Sequence, residues 1–78
     1  MREIIIKILC EICDTDQIEK DPDIEIFREG LLDSFGTVEF LVAIQAQLGI
    51  EVAPSEVERD AWATPNKIIA YLEDRGRA

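Results

Sequence analysis

Histidine is missing from the chain altogether. That absence excludes Ser-His-Asp triads, Cys-His nucleophile pairs, HExxH metalloprotease centres and histidine-ligated zinc. Basic residues are scarce as well: eight Lys and Arg stand against seventeen Asp and Glu, a net charge of −9. Such a balance repels nucleic acid and anionic lipid. It favours basic protein partners, or simply keeps a small apolar-rich domain in solution. Long apolar runs are lacking too. Charges at Lys7 and Glu11 interrupt the one that begins at Ile4, far short of the roughly 20 residues that span a membrane. The start carries no signal-peptide pattern. The expectation is a cytoplasmic protein with no direct membrane insertion.

What is present is modest in size. The 78 residues are expected to form a single domain, 1–78, and the 47% hydrophobic content is that of a globular chain. A domain of this length buries only about 60–65% of its unfolded surface. There is little room for an enclosed active site, so an enzyme is not expected.

Residues 2–13 read as a helix. Ile5, Ile8, Leu9 and Ile12 share one face at i, i+3, i+4 and i+7, and charges recur at Glu3, Lys7 and Glu11. The β-branched run Ile4-Ile5-Ile6 would also suit a strand, but the spacing of the charges favours the helix. Cys10 and Cys13 make one CxxC. With no histidine and no βαβ context they read as small buried hydrophobes and not as a zinc or redox site, and a cytoplasmic location argues against a disulfide.

Residues 14–33 read as a long loop with eight acids against Lys20 and Arg28, a net −6. Asp14, Asp16 and Glu25 fit positions 1, 3 and 12 of a calcium loop. Ile18 and Glu19 occupy positions 5 and 6, where a ligand and a glycine are needed, so that reading fails. Ile24, Ile26 and Phe27 are expected to anchor the loop on the core.

A second long helix is expected over 34–48, capped by Asp33 or Ser34 and stopped by Gly49. Phe40, Leu41, Ile44 and Leu48 form one apolar stripe, which suffices to join a core. Phe35, Val38 and Val42 form another, either further core or a surface for partners. Ser55-Glu56-Val57-Glu58 matches a capping box and suggests a short helical turn near 55–60. Trp62, the only tryptophan, reads as a core anchor whose indole N–H needs an acceptor. Thr64-Pro65 starts a last helix. Its inward face is Ile68, Ile69 and Leu72, and Arg75, Gly76 and Arg77 give it a basic end. The expected architecture is all-α: a small antiparallel four-helix bundle of three main helices and one short one, with a long first loop.

Ser34 stands between the acidic loop and the most apolar helix. It could be a plain cap, a phosphorylation site, or the anchor of a phosphodiester-linked group, since a helix N-terminus offers free amides and a positive dipole end to a phosphate. A nucleophile would need a base, and the lysines Lys7, Lys20 and Lys67 have no evident link to it.

Leu32-Asp33-Ser34-Phe35 followed by Thr37-Val38-Glu39-Phe40-Leu41 resembles the D-S-L signature of acyl and peptidyl carrier proteins, and the likeness covers nearly the whole chain. It implies 4′-phosphopantetheine from coenzyme A on Ser34, and partner binding by Asp33, Phe35, Val38, Glu39 and Val42. Arg59-Asp60-Ala61-Trp62-Ala63-Thr64-Pro65-Asn66 resembles the corresponding stretch of the D-alanyl carrier branch. That resemblance implies a monomeric carrier, not a catalyst. A phosphopantetheinyl transferase would modify it and a D-alanine ligase would load it with a D-alanyl thioester. It would then deliver D-alanine to membrane-bound O-acyltransferase machinery for (lipo)teichoic acid. Helix 34–48 departs from the fatty-acid carriers in offering only Glu39 as an acid, which fits a different set of partners. Carriage of fatty, polyketide or peptide acyl groups remains the alternative within the class. An unmodified acidic helical interaction module is the alternative outside it.

Overall fold

In a computed structural model, which describes residues 2–76, the apolar spacing seen in the sequence becomes four α-helices. They are α1 (Arg2–Cys13), α2 (Gln17–Lys20), α3 (Ser34–Leu48) and α4 (Pro65–Gly76), with a 3-10 turn at Pro54–Glu56. No strand occurs among the described residues. α1 packs against α2, α3 and α4. Its residues Ile5, Ile8 and Leu9 meet Phe40, Leu41 and Ile44 of α3 and Ile68, Ile69 and Leu72 of α4 in one core. Gly49 ends α3 in the left-handed region (φ 69°), with its N–H on the Gln45 carbonyl. Thr64 caps α4 by accepting from the Lys67 amide at 3.2 Å. Leu48, placed with the inward stripe, is only half-buried. The basic end read at Arg75–Arg77 falls partly outside the described residues, at Arg77.

The segment 14–33 is not the open loop its composition suggests. α2 lies within it, tied by Asp16 to Lys20 at 3.2 Å and by the Asp16 carbonyl to the Glu19 and Lys20 amides. It buries one side chain, Ile18, completely. A single apolar residue among charges makes no period, so this turn leaves no helical pattern in the sequence. Asp21, restricted by Pro22 after it, leaves the helix at φ −137°, ψ 86°.

A second turn follows. Leu31 N–H donates to the Ile26 carbonyl at 2.9 Å and Gly30 N–H to the Phe27 carbonyl at 3.1 Å, with Gly30 at φ 71°. These two bonds around a left-handed glycine are a Schellman closure. It turns the chain straight into Leu32, Asp33 and α3. Ile26 is fully buried, and Ile24 and Phe27 pack half-buried on the core, as expected of the loop's anchors.

The other end of this segment is fastened to the stretch before α4. Ile26 N–H donates to the Ala63 carbonyl at 3.0 Å, and Asn66 N–H to the Pro22 carbonyl at 3.0 Å. Asn66 Nδ2 donates to Asp23 Oδ1 at 2.8 Å, and the Arg59 guanidinium sits 5.5 Å over the Phe27 ring.

The short turn expected at 55–60 is instead the 3-10 turn Pro54–Glu56, and Ser55 does not cap it. Glu56 Oε2 accepts from the Ala53 amide at 2.7 Å, while its carboxylate meets Arg75 Nη1 at 2.8 Å. Proline at the first position fixes the start two residues earlier than a Ser55 cap would. The Ala53 N–H, then Arg75, holds the Glu56 carboxyl below its ordinary value of 4.5. A depressed folded pKa stabilises the native state above the unfolded value, and that stability is lost as pH falls through the folded one. Glu56→Gln is therefore expected to flatten the acid limb of the stability profile below about pH 4.5, read by urea unfolding at a series of pH values. The group is exposed, so the change is small.

Candidate functional site

The site is the start of α3, built by Asp33. Its backbone is extended (φ −108°, ψ −173°), and its Oδ1 accepts from the Gly36 amide at 2.7 Å. The Asp33 carbonyl accepts from the Thr37 amide at 2.9 Å and the Thr37 hydroxyl at 2.8 Å. Of the two residues the sequence offers as cap, the structure selects Asp33. Ser34 is the first helical residue, exposed, and its hydroxyl makes no hydrogen bond among the described residues. The amides of Ser34 and Phe35 likewise have no protein partner there. An unengaged hydroxyl beside two free amides at a positive helix end fits a phosphodiester.

Asp33→Ala should cost about 1 kcal/mol, while Asp33→Asn, which keeps an acceptor, should cost far less. Thermal unfolding of the two variants checks this.

Gly36 explains how closely the site sits on α1. A Cβ at that position would lie 2.9 Å from Leu32 Cδ1, 3.3 Å from Asp33 Oδ1 and 3.3 Å from Ile12 Cγ2. A side chain there would push on the cap and on the neighbouring helix at once, so only glycine fits without displacement. Cys13, at the end of α1, is half-buried, and both cysteines are free. Burial first, then Cys10 and the Asp33 carboxylate, push its thiol up to about 11. At neutral pH it is a protonated, weakly nucleophilic side chain, as the reading of a small hydrophobe requires.

The five residues grouped around Ser34 by resemblance occupy one surface. Phe35, Val38 and Val42 are 81%, 48% and 62% exposed, so the second stripe of the helix is surface and not core. Asp33 and Glu39 are exposed beside them. Lys20 is drawn to Asp16, and Lys67 Nζ lies 3.5 Å from the Asp60 carbonyl.

Trp62 departs from expectation in one respect. It is fully buried, edge-on to Phe40 at 5.6 Å and to Tyr71 at 5.5 Å between ring centroids. Its indole N–H, however, has no acceptor. The aromatic packing outweighs an orphaned donor that costs about 1–3 kcal/mol.

Sequence reading missed the Schellman turn that delivers Ser34 to the surface. Its only signal is Gly30 two residues after Arg28 and three before Asp33.

Over residues 3–72 the chain matches the family described as "Phosphopantetheine attachment site". It is 51% identical over 73 residues to a D-alanyl carrier protein of Bacillus velezensis, with 94% of each chain covered. A D-alanyl carrier protein of Staphylococcus saprophyticus is 48% identical over 73 residues, again covering 94% of each. One of Bacillus licheniformis is 49% identical over 70 residues, covering 90% of each.

Proposed function

The chain belongs to the phosphopantetheine attachment-site family, and on that premise we propose that it is a cytoplasmic D-alanyl carrier with its prosthetic group on Ser34. It serves as a substrate of other enzymes and not as a catalyst. A phosphopantetheinyl transferase modifies it from coenzyme A and a D-alanine ligase loads it. Membrane-bound O-acyltransferase machinery then takes the D-alanine for teichoic acid. The observation that carries the assignment of Ser34 is its free, exposed hydroxyl at the first position of α3, with the capping duty borne by Asp33. The cargo is supported by the named relatives, which match over 90–94% of each chain at about half identity.

When bound, the group supplies a terminal thiol on a flexible arm, which holds the aminoacyl unit as a thioester. The chain's own residues do the rest. The amides of Ser34 and Phe35 would hold the phosphate, and the positive end of α3 would favour its charge. Asp33 Oδ1 accepts from the Gly36 amide and so serves the helix cap; as Ser34 Oγ displaces adenosine 3′,5′-bisphosphate from coenzyme A, its proton passes to a base supplied by the transferase. Phe35, Val38 and Val42 form an apolar docking patch edged by Asp33 and Glu39. Partners that must bind and release in turn need a small contact with electrostatic steering. Tethering the activated residue raises its effective concentration at each of them.

The test is loading of the phosphopantetheinylated chain by a D-alanine ligase, followed by intact mass. D-alanine should add one aminoacyl unit, with little or none from L-alanine or a fatty acid. Equal loading by fatty acids, or none by D-alanine, would remove the proposed cargo.

A further inference from the structure

We infer that Asn66 is a positioning residue for Ser34, acting through the loop that leads to it. This rests on Ser34 being the attachment serine. Asn66 is 32 positions away in the chain, and the connection is a series of bonds. Its Nδ2 donates to Asp23 Oδ1 at 2.8 Å and its backbone N–H to the Pro22 carbonyl at 3.0 Å. Ile26 N–H donates to the Ala63 carbonyl, three residues before Asn66, at 3.0 Å. The Ile26 carbonyl then accepts from Leu31 at 2.9 Å and Leu32 at 3.1 Å. Leu32 is buried, and its Cδ1 closes over Gly36, whose amide Asp33 caps. Ser34 lies between those last two residues.

The side chain of Asn66 has a duty that its place in α4 does not explain. Any residue but proline at the second position of that helix could supply the amide to Pro22. Only a side-chain donor reaches Asp23. A role in the helix alone would favour an acid at this position, because the positive N-terminal pole attracts one. The asparagine instead serves the loop.

An isolated bond of this kind orders a surface segment only modestly. Its loss loosens residues 22–32, and a transferase docking at Ser34 must then re-order them. The effect falls on binding and not on chemistry. Asn66→Asp keeps the size and suits the helix dipole, yet sets two carboxylates against each other at 23 and 66. Pairing it with Asp23→Asn reverses donor and acceptor and restores the bond.

In phosphopantetheinylation of the full chain, Asn66→Asp should raise KM about three- to tenfold. kcat and the final extent of modification should stay unchanged. Amide exchange at Leu31 and Leu32 should quicken by a similar factor. The double variant Asp23→Asn/Asn66→Asp should return both to the parent values. An unchanged KM or unchanged exchange in the single variant overturns the inference, as does failure of the pair to rescue. If the parent chain gains no mass, the attachment reading falls instead, and the exchange measurement alone decides whether Asn66 orders the loop.

Discussion

Ser34→Ala is expected to leave the fold intact and to end modification of the chain completely. Ser34 is the first residue of α3, and its hydroxyl bonds to nothing among the described residues, while Asp33 satisfies the Gly36 amide at 2.7 Å. Removing the hydroxyl therefore costs no cap, and alanine is the better helix former. Stability should move by less than about 0.5 kcal/mol. The gain of a phosphopantetheinyl group, and every loading step after it, should fall to zero. A domain that used Ser34 only as a cap would behave in the opposite way, losing about 1 kcal/mol and keeping its partners. Urea unfolding together with intact mass after treatment with coenzyme A and a transferase separates the two.

Trp62→Ala should have the opposite signature, with the fold lost first and modification lost with it. Trp62 is fully buried and packs edge-on against Phe40 of α3 and Tyr71 of α4. Truncating a core tryptophan costs about 3–5 kcal/mol. A chain of this length has on the order of 4–12 kcal/mol in total, and its small core places it low in that range. The variant should be largely unfolded at 37 °C by circular dichroism. Trp62→Phe should be milder, since it keeps an aromatic ring and removes the indole N–H that has no acceptor. A tolerated Trp62→Ala would mean that α3 and α4 are held together by something other than this aromatic cluster.

The long elements were legible in the sequence because each carries its own punctuation. α1 shows its face at Ile5, Ile8 and Leu9, α3 is bounded by Asp33 and Gly49, and α4 opens on Thr64-Pro65. What was hidden lies between them. α2 buries one isoleucine among charges, and the turn at Gly30 is defined by backbone bonds to Ile26 and Phe27 that no spacing of side chains reveals. The 3-10 turn was displaced because Pro54, and not Ser55, sets where it starts.

The stretch Arg59–Asn66 was read from its likeness to the D-alanyl carrier branch, and the structure gives most of it a mechanical task. Arg59 stacks on Phe27, Trp62 fills the core, Ala63 and Asn66 bind the first loop, and Thr64 caps α4. The surface of α3 follows the same logic. Its apolar residues at 35, 38 and 42 are exposed because the opposite stripe at Phe40, Leu41 and Ile44 already fills the core.

Locating the modified residue tests the central claim most directly. The chain has two serines, Ser34 at the start of α3 and Ser55 in the 3-10 turn. After phosphopantetheinylation and proteolysis, fragmentation of the modified peptide should place the added group on Ser34 alone. A group found on Ser55 or Thr37, or on no residue of a fully folded chain, would contradict it.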